Sequence, residues 1–193
     1  AGFFGWPLFV GNNKAYHERD FAKQVSYEAF DPKTPINKSP NNTGAQQLPP
    51  AQPAFIWYPY DRSEEFPQLG DGGRNAMAGP VYYEDDYEEN EGRFPSYFDG
   101  KMMYYDWMRG YLMAVTMTEE GDYVSMERIM PSKKFANPTD MVFSPKGDLY
   151  LLEYGTKWFS QNMDARLVHV EYNSGNRKPI ADFEADETVG AVA

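Results

Sequence analysis

The chain has 193 residues, a net charge of −11 and no cysteine. That acidity leaves no electrostatic footprint for nucleic acid and no polybasic patch for an anionic membrane. The missing cysteines exclude disulfides, thiolate-held zinc, iron–sulfur clusters, a Cys nucleophile and a c-type haem attachment within this stretch. Aromatic residues make up 17%, with 16 Gly and 15 Pro, which favours strands and turns over a helical bundle.

The opening Ala-Gly-Phe-Phe-Gly-Trp-Pro lacks the basic and apolar regions of a signal peptide and reads as mid-domain sequence. Residues 1–54 are expected to form a long irregular insertion. Pro32, Pro35, Pro40, Pro49, Pro50 and Pro53 fix φ and remove ladder donors through most of it. From Phe55 the character changes. Phe55–Tyr58 is a short aromatic and β-branched run closed by Pro59, and it predicts a strand. Further strands are predicted at Pro80–Glu84, Met102–Asp106, Tyr111–Thr116, Tyr123–Met130, Asp140–Phe143, Leu149–Tyr154 and Leu167–Tyr172. Gly-containing turns at 98–101, 119–122 and 145–148 separate most of them, and no 3.6-residue apolar period persists. No apolar run reaches the ~18 residues that a membrane-spanning helix needs.

Two units echo each other. Asp99-Gly100-Lys101 leads into Met102–Tyr105 and then Tyr111–Thr116, while Lys146-Gly147-Asp148 leads into Leu149–Leu152 and then Leu167–Val170. The spacing of about 45 residues matches one four-stranded propeller blade. The fold class is therefore expected to be all-β, with the chain forming about the last two to three blades of a β-propeller. Residues 173–179 are polar with Gly and Pro and read as a linker. Ile180–Ala185 alternates like the first strand of a new β-domain, so both ends of the chain are expected to be cut from a longer protein.

Several segments carry a resemblance. Gly5-Trp6-Pro7 is similar to a segment of the soluble quinoprotein glucose and sorbosone dehydrogenases. The stretch from Asn137 to Tyr150 resembles their last-blade signature. Phe94-Pro95, Tyr97, Gly100 and the Trp107 to Gly110 region resemble the preceding blade. The resemblance covers roughly residues 1–172. It implies a six-bladed propeller that binds pyrroloquinoline quinone (PQQ) and calcium and oxidises a sugar or alcohol, in a periplasmic or extracellular bacterial protein. A cytochrome c domain is the implied electron acceptor, and residues 180–193 resemble the start of an immunoglobulin-like PKD module.

The family's catalytic His, substrate-side Arg and calcium-binding Gly-Pro pair lie N-terminal to Gly-Trp-Pro, so no catalytic residue is assigned in this chain, and Gly79-Pro80 is not that pair. The arginines that the family offers to the quinone carboxylates are replaced by Asn137 and Thr139, and its Lys by Met108 beside Arg109. By resemblance, Arg109, Tyr154 and Lys157 are the cofactor-binding candidates, and Trp107 and Asp106 the substrate-binding ones. The alternative for this loop is a strand-end Trp packed between blades with Arg109 paired to Asp106. The alternative for the whole is a non-catalytic carbohydrate-binding or scaffold propeller that has lost the cofactor.

Other features are read as structural. The acidic run Asp85–Glu91 lacks calcium-loop spacing and reads as a solvated hairpin loop. His17 lies among charged residues and is expected to be solvated. The alternation around His169 turns it toward solvent or a neighbouring blade. No phosphate loop, dinucleotide fingerprint or Ser-hydrolase elbow is present.

Overall fold

The computed structural model describes residues 2–175, and they form an all-β arrangement of small antiparallel sheets. The proposed PKD-like start at 180–193 and most of the 173–179 linker lie outside the described residues. Two short hairpins come first: β1 (Phe9–Val10) with β2 (Lys14–Ala15), and β3 (His17–Asp20) with β4 (Val25–Ala29). The stretch 1–54 is thus less irregular than expected. Its strands fall between Pro7 and Pro32, where no proline interrupts the ladder. The Pro-rich remainder contributes only isolated bridges, Phe3 with Ala51 and Ile36 with Gln47.

Phe55–Tyr58 pairs with nothing and is not a strand. Its apolar character serves packing instead. Trp57 meets the Phe66 ring edge-on at 6.4 Å, and Tyr58 is buried. Next come β5 (Ala76–Val81), β6 (Met102–Asp106), β7 (Tyr111–Met117) and β8 (Tyr123–Ile129), hydrogen-bonded in chain order as a four-stranded antiparallel meander. A second meander joins β9 (Pro138–Phe143), β10 (Leu149–Glu153) and β11 (Arg166–Val170). Short helical turns at Pro67–Leu69, Glu84–Asp86 and Ser96–Phe98 complete the described elements.

β5 starts four residues earlier than its predicted Pro80, and its register with β6 shifts between Ala78 and Val81. Pro80 sits in that irregularity, where no ladder donor is required. The glycines of the three predicted turns, Gly100, Gly121 and Gly147, all take left-handed φ.

The core explains why β6 and β7 read as near-continuous apolar runs. Met103, Tyr105, Leu112 and Ala114 face the second sheet, packing with Met141, Phe143, Leu149 and Leu151. The intervening Tyr104, Tyr111, Met113 and Val115 face the other way, onto Tyr58, Phe66 and Leu69. Side chains alternate across a strand, so both faces of this sheet are covered. Each fully buried apolar side chain contributes roughly 1.5–3 kcal/mol relative to exposure. The two sheets meet at β5 and β9, where a Cβ on Gly79 would lie 2.6 Å from Met141 Sδ and 2.9 Å from the Met103 carbonyl.

Candidate functional site

The β6–β7 turn holds three of the five candidate residues, and it directs them differently. Asp106 ends β6 with none of its surface exposed. Its carboxylate accepts the Tyr58 hydroxyl, the Asn75 N–H at 2.9 Å and the Arg109 N–H at 2.7 Å. The Tyr104 hydroxyl donates to that of Tyr58 at 2.7 Å. Burial, and then the hydrogen bond to Asp106, push the Tyr58 hydroxyl far above its ordinary range. Through these three bonds the buried Asp106 carboxylate closes the β6–β7 connection. Gly110 completes the turn at φ 64, donating to the Asp106 carbonyl at 2.9 Å.

Arg109 is committed in a similar way. Its Nε donates to the Gly73 carbonyl at 3.0 Å; Nη1 donates to Leu69 and Gly70 at 2.9 and 3.0 Å; Nη2 donates to Pro59 and Gly72 at 2.9 and 3.1 Å. A guanidinium has five N–H groups, and all five are engaged. The same group lies over the Tyr58 ring, 4.5 Å from its centroid. Arg109 therefore clamps the 59–73 loop. It pairs with Asp106 through its backbone rather than through its charge.

Trp107 turns outward. Its ring lies 5.9 Å from that of Tyr154 and meets Trp158 edge-on at 5.0 Å, and Trp158 in turn contacts Phe159 at 5.8 Å. Asn137 joins the two loops that carry these rings. Its side-chain amide donates to the Trp107 carbonyl at 2.9 Å, and its own carbonyl accepts the Tyr154 N–H at 3.0 Å. The Lys157 loop is braced internally. Asn162 Nδ2 donates to the Tyr154 and Lys157 carbonyls at 3.0 and 2.9 Å, and its Oδ1 accepts the Lys157 N–H at 3.0 Å. The Thr156 hydroxyl donates to Asp164 at 2.8 Å; that bond, helped by the Lys157 charge, holds the Asp164 carboxyl below its usual range. Trp158 is 57% and Phe159 94% exposed on the braced loop. Trp158 and Asn162 escaped sequence reasoning, and Asn137 entered it only as the residue in place of a quinone-binding arginine. The only signal for Trp158 was its place four residues after Tyr154, and nothing in the sequence shows that a 51-residue separation closes onto Trp107.

The structure thus brings Trp107, Tyr154 and Lys157 to neighbouring surface loops and draws Asp106 and Arg109 into the framework. Of the three cofactor-binding candidates, Arg109 is closed to the carboxylates of a quinone, while the Lys157 ammonium has no hydrogen bond or ion pair among the described residues. Arg109 has no uncommitted N–H, Met108 packs over Gly73, and Thr139 donates its hydroxyl to the Leu152 carbonyl at 3.1 Å. Among the described residues, no three His, Asp or Glu side chains come together as a metal-holding group.

The remaining features lie elsewhere. Asp85–Glu91 caps the β9–β10 turn through Asn90, whose amide donates to the Lys146 carbonyl at 2.8 Å. His17 Nδ1 donates to the Tyr27 carbonyl at 2.8 Å. His169 stacks on Tyr150 at 4.6 Å and bonds Asp148, which also accepts the Ser144 hydroxyl. Ser144 and His169 bond different oxygens of Asp148, and no hydrogen bond joins the two to each other among the described residues. The chain matches no family model, no curated protein and no solved structure.

Proposed function

We propose that this chain belongs to a carbohydrate-binding β-propeller and presents Trp107, Tyr154 and Trp158 to a sugar ring. The observation that carries this reading is the contact of these three rings across loops from two adjacent sheets, with Lys157 on the same loop. Pyranose rings have apolar C–H faces and polar rims, and the exposed Trp158 beside the half-buried Trp107 and Tyr154, with an exposed lysine on the same loop, suits both. The propeller is supported by the four-stranded meander, by its two covered faces and by the side-by-side placement of β5 and β9. These are the relations expected of a blade between neighbours.

Oxidation of the sugar or alcohol with PQQ and calcium, passing electrons to a cytochrome c domain in an exported bacterial protein, is the second reading. It rests on the resemblance of the Gly5-Trp6-Pro7 and Asn137–Tyr150 segments, and Trp6 is 72% exposed beside Phe4. The commitment of Arg109 to five carbonyls ranks it below binding.

A tryptophan-fluorescence titration with maltohexaose, cellohexaose and xylohexaose tests the first reading. Saturable binding of one of them is expected, weakened about tenfold by Trp107→Ala and by Trp158→Ala. No saturation by any neutral oligosaccharide, or affinity unchanged in both variants, overturns it. Dye-linked oxidation of glucose with PQQ and calcium supplied would raise the second reading above the first.

A further inference from the structure

A second surface, formed by other residues, carries its own chemistry. The β1–β2 hairpin lies against the unpaired 54–60 segment, and two adjoining depressions of about 400 Å³ and about 300 Å³ open there. They share Trp57, Tyr58 and Arg74; Tyr60 borders the first, and Lys14 and Tyr16 border the second. Gly11 takes φ 62 in the β1–β2 turn and lies against Trp57, where a Cβ would make ordinary van der Waals contact at 3.5 Å.

The charges are one-sided. The sequence holds 29 acidic residues against 18 Lys and Arg, yet no Asp or Glu lines either depression among the described residues. Arg74 stands over the Tyr60 ring at 4.9 Å and gives one N–H to the Tyr58 carbonyl at 2.5 Å. Its other N–H groups have no hydrogen-bond partner among the described residues, and the Lys14 ammonium has neither a hydrogen bond nor an ion pair there. Tyr60 and Tyr16 remain 63% and 45% exposed.

A guanidinium with free N–H groups matches a carboxylate in a bidentate fashion, an ammonium adds a second contact, and exposed aromatic rings take the flat face of a six-membered ring. We propose that this groove binds a hexuronate residue of an acidic polysaccharide, with its carboxylate at Arg74 and Lys14 and its ring against Trp57 or Tyr60. The inference extends the carbohydrate reading to a charged sugar and stands on residues separate from Trp107 and Trp158.

The test is a tryptophan-fluorescence titration of the full chain with trigalacturonate, its fully methyl-esterified form and benzoate. Trigalacturonate is expected to bind about tenfold more tightly than the neutral ester. Lys14→Gln should weaken it about threefold and Arg74→Gln about tenfold. Trp107→Ala and Trp158→Ala should leave it unchanged, so failure here is distinguishable from failure at the other surface. The Lys14 side chain is exposed and has no hydrogen bond or ion pair among the described residues, so its variant is expected to leave the fold and the urea midpoint unchanged. Equal binding of acid and ester, no binding of trigalacturonate, or indifference to both Lys14→Gln and Arg74→Gln overturns the proposal. Stronger binding of benzoate would assign the groove to aromatic carboxylates instead and also overturns it.

Discussion

Five carbonyl oxygens around one guanidinium require donors that diverge in a plane, and only Arg supplies them. Arg109 meets that requirement for the carbonyls of Pro59, Leu69, Gly70, Gly72 and Gly73. Lysine has three donors at one point and leaves at least two of these carbonyls without a protein partner. Arg109→Lys is therefore expected to cost about 2 kcal/mol, read as a lower urea midpoint with an unchanged slope. A midpoint equal to wild type would mean that water replaces the clamp without loss. The sequence shows an acid, an indole and a guanidinium within four positions, but not which of them turns inward. That choice depends on where residues 58–75 pass, because the partners of Asp106 and Arg109 all come from that segment or from their own turn.

At the scale of elements, strand positions in the second half were legible because each carries apolar residues bounded by a Gly turn. β6 coincides with its prediction, and β7 through β11 differ at their ends by one or two residues. Phe55–Tyr58 failed for a physical reason. Aromatic residues between two prolines pack equally well without a ladder, and composition does not distinguish pairing from packing. β5 was displaced toward its N-terminus because Gly79-Pro80 looks like a strand boundary and is instead a bulge pressed on β9. That contact yields a prediction. Gly79→Ala drives a methyl into Met141 Sδ and the Met103 carbonyl and is expected to cost about 1–3 kcal/mol. Met141→Ala in the same chain relieves only the sulfur contact, so a double-mutant cycle should show coupling of at least about 0.5 kcal/mol. Additive effects in urea unfolding would mean that the sheets are further apart at this point.

For the molecule as a whole, buried phenols set the alkaline limit of stability. Burial raises the Tyr58, Tyr82 and Tyr104 hydroxyls above the ordinary value near 10, and pushes that of Tyr82 up to about 12. The folded state keeps these protons where the unfolded chain releases them. Their contribution is complete below about pH 10 and declines as pH rises toward about 12, through the folded value of Tyr82. Urea unfolding from about pH 8 to about pH 12 should show this fall together with the ultraviolet signal of tyrosinate. A flat profile would place the phenols in contact with water.

The sequence by itself determined the all-β class, the order of strands from β6 onward and the Gly turns between them, because alternation, β-branching and left-handed glycines act over a few residues. The tertiary structure decided which residues of the 106–110 turn reach a surface, that Trp158 joins Trp107 and Tyr154, and that Lys14 and Arg74 share one groove. These facts depend on chain crossings between segments about 50 or 60 residues apart, and no local period in a sequence encodes which distant carbonyl or ring will arrive there.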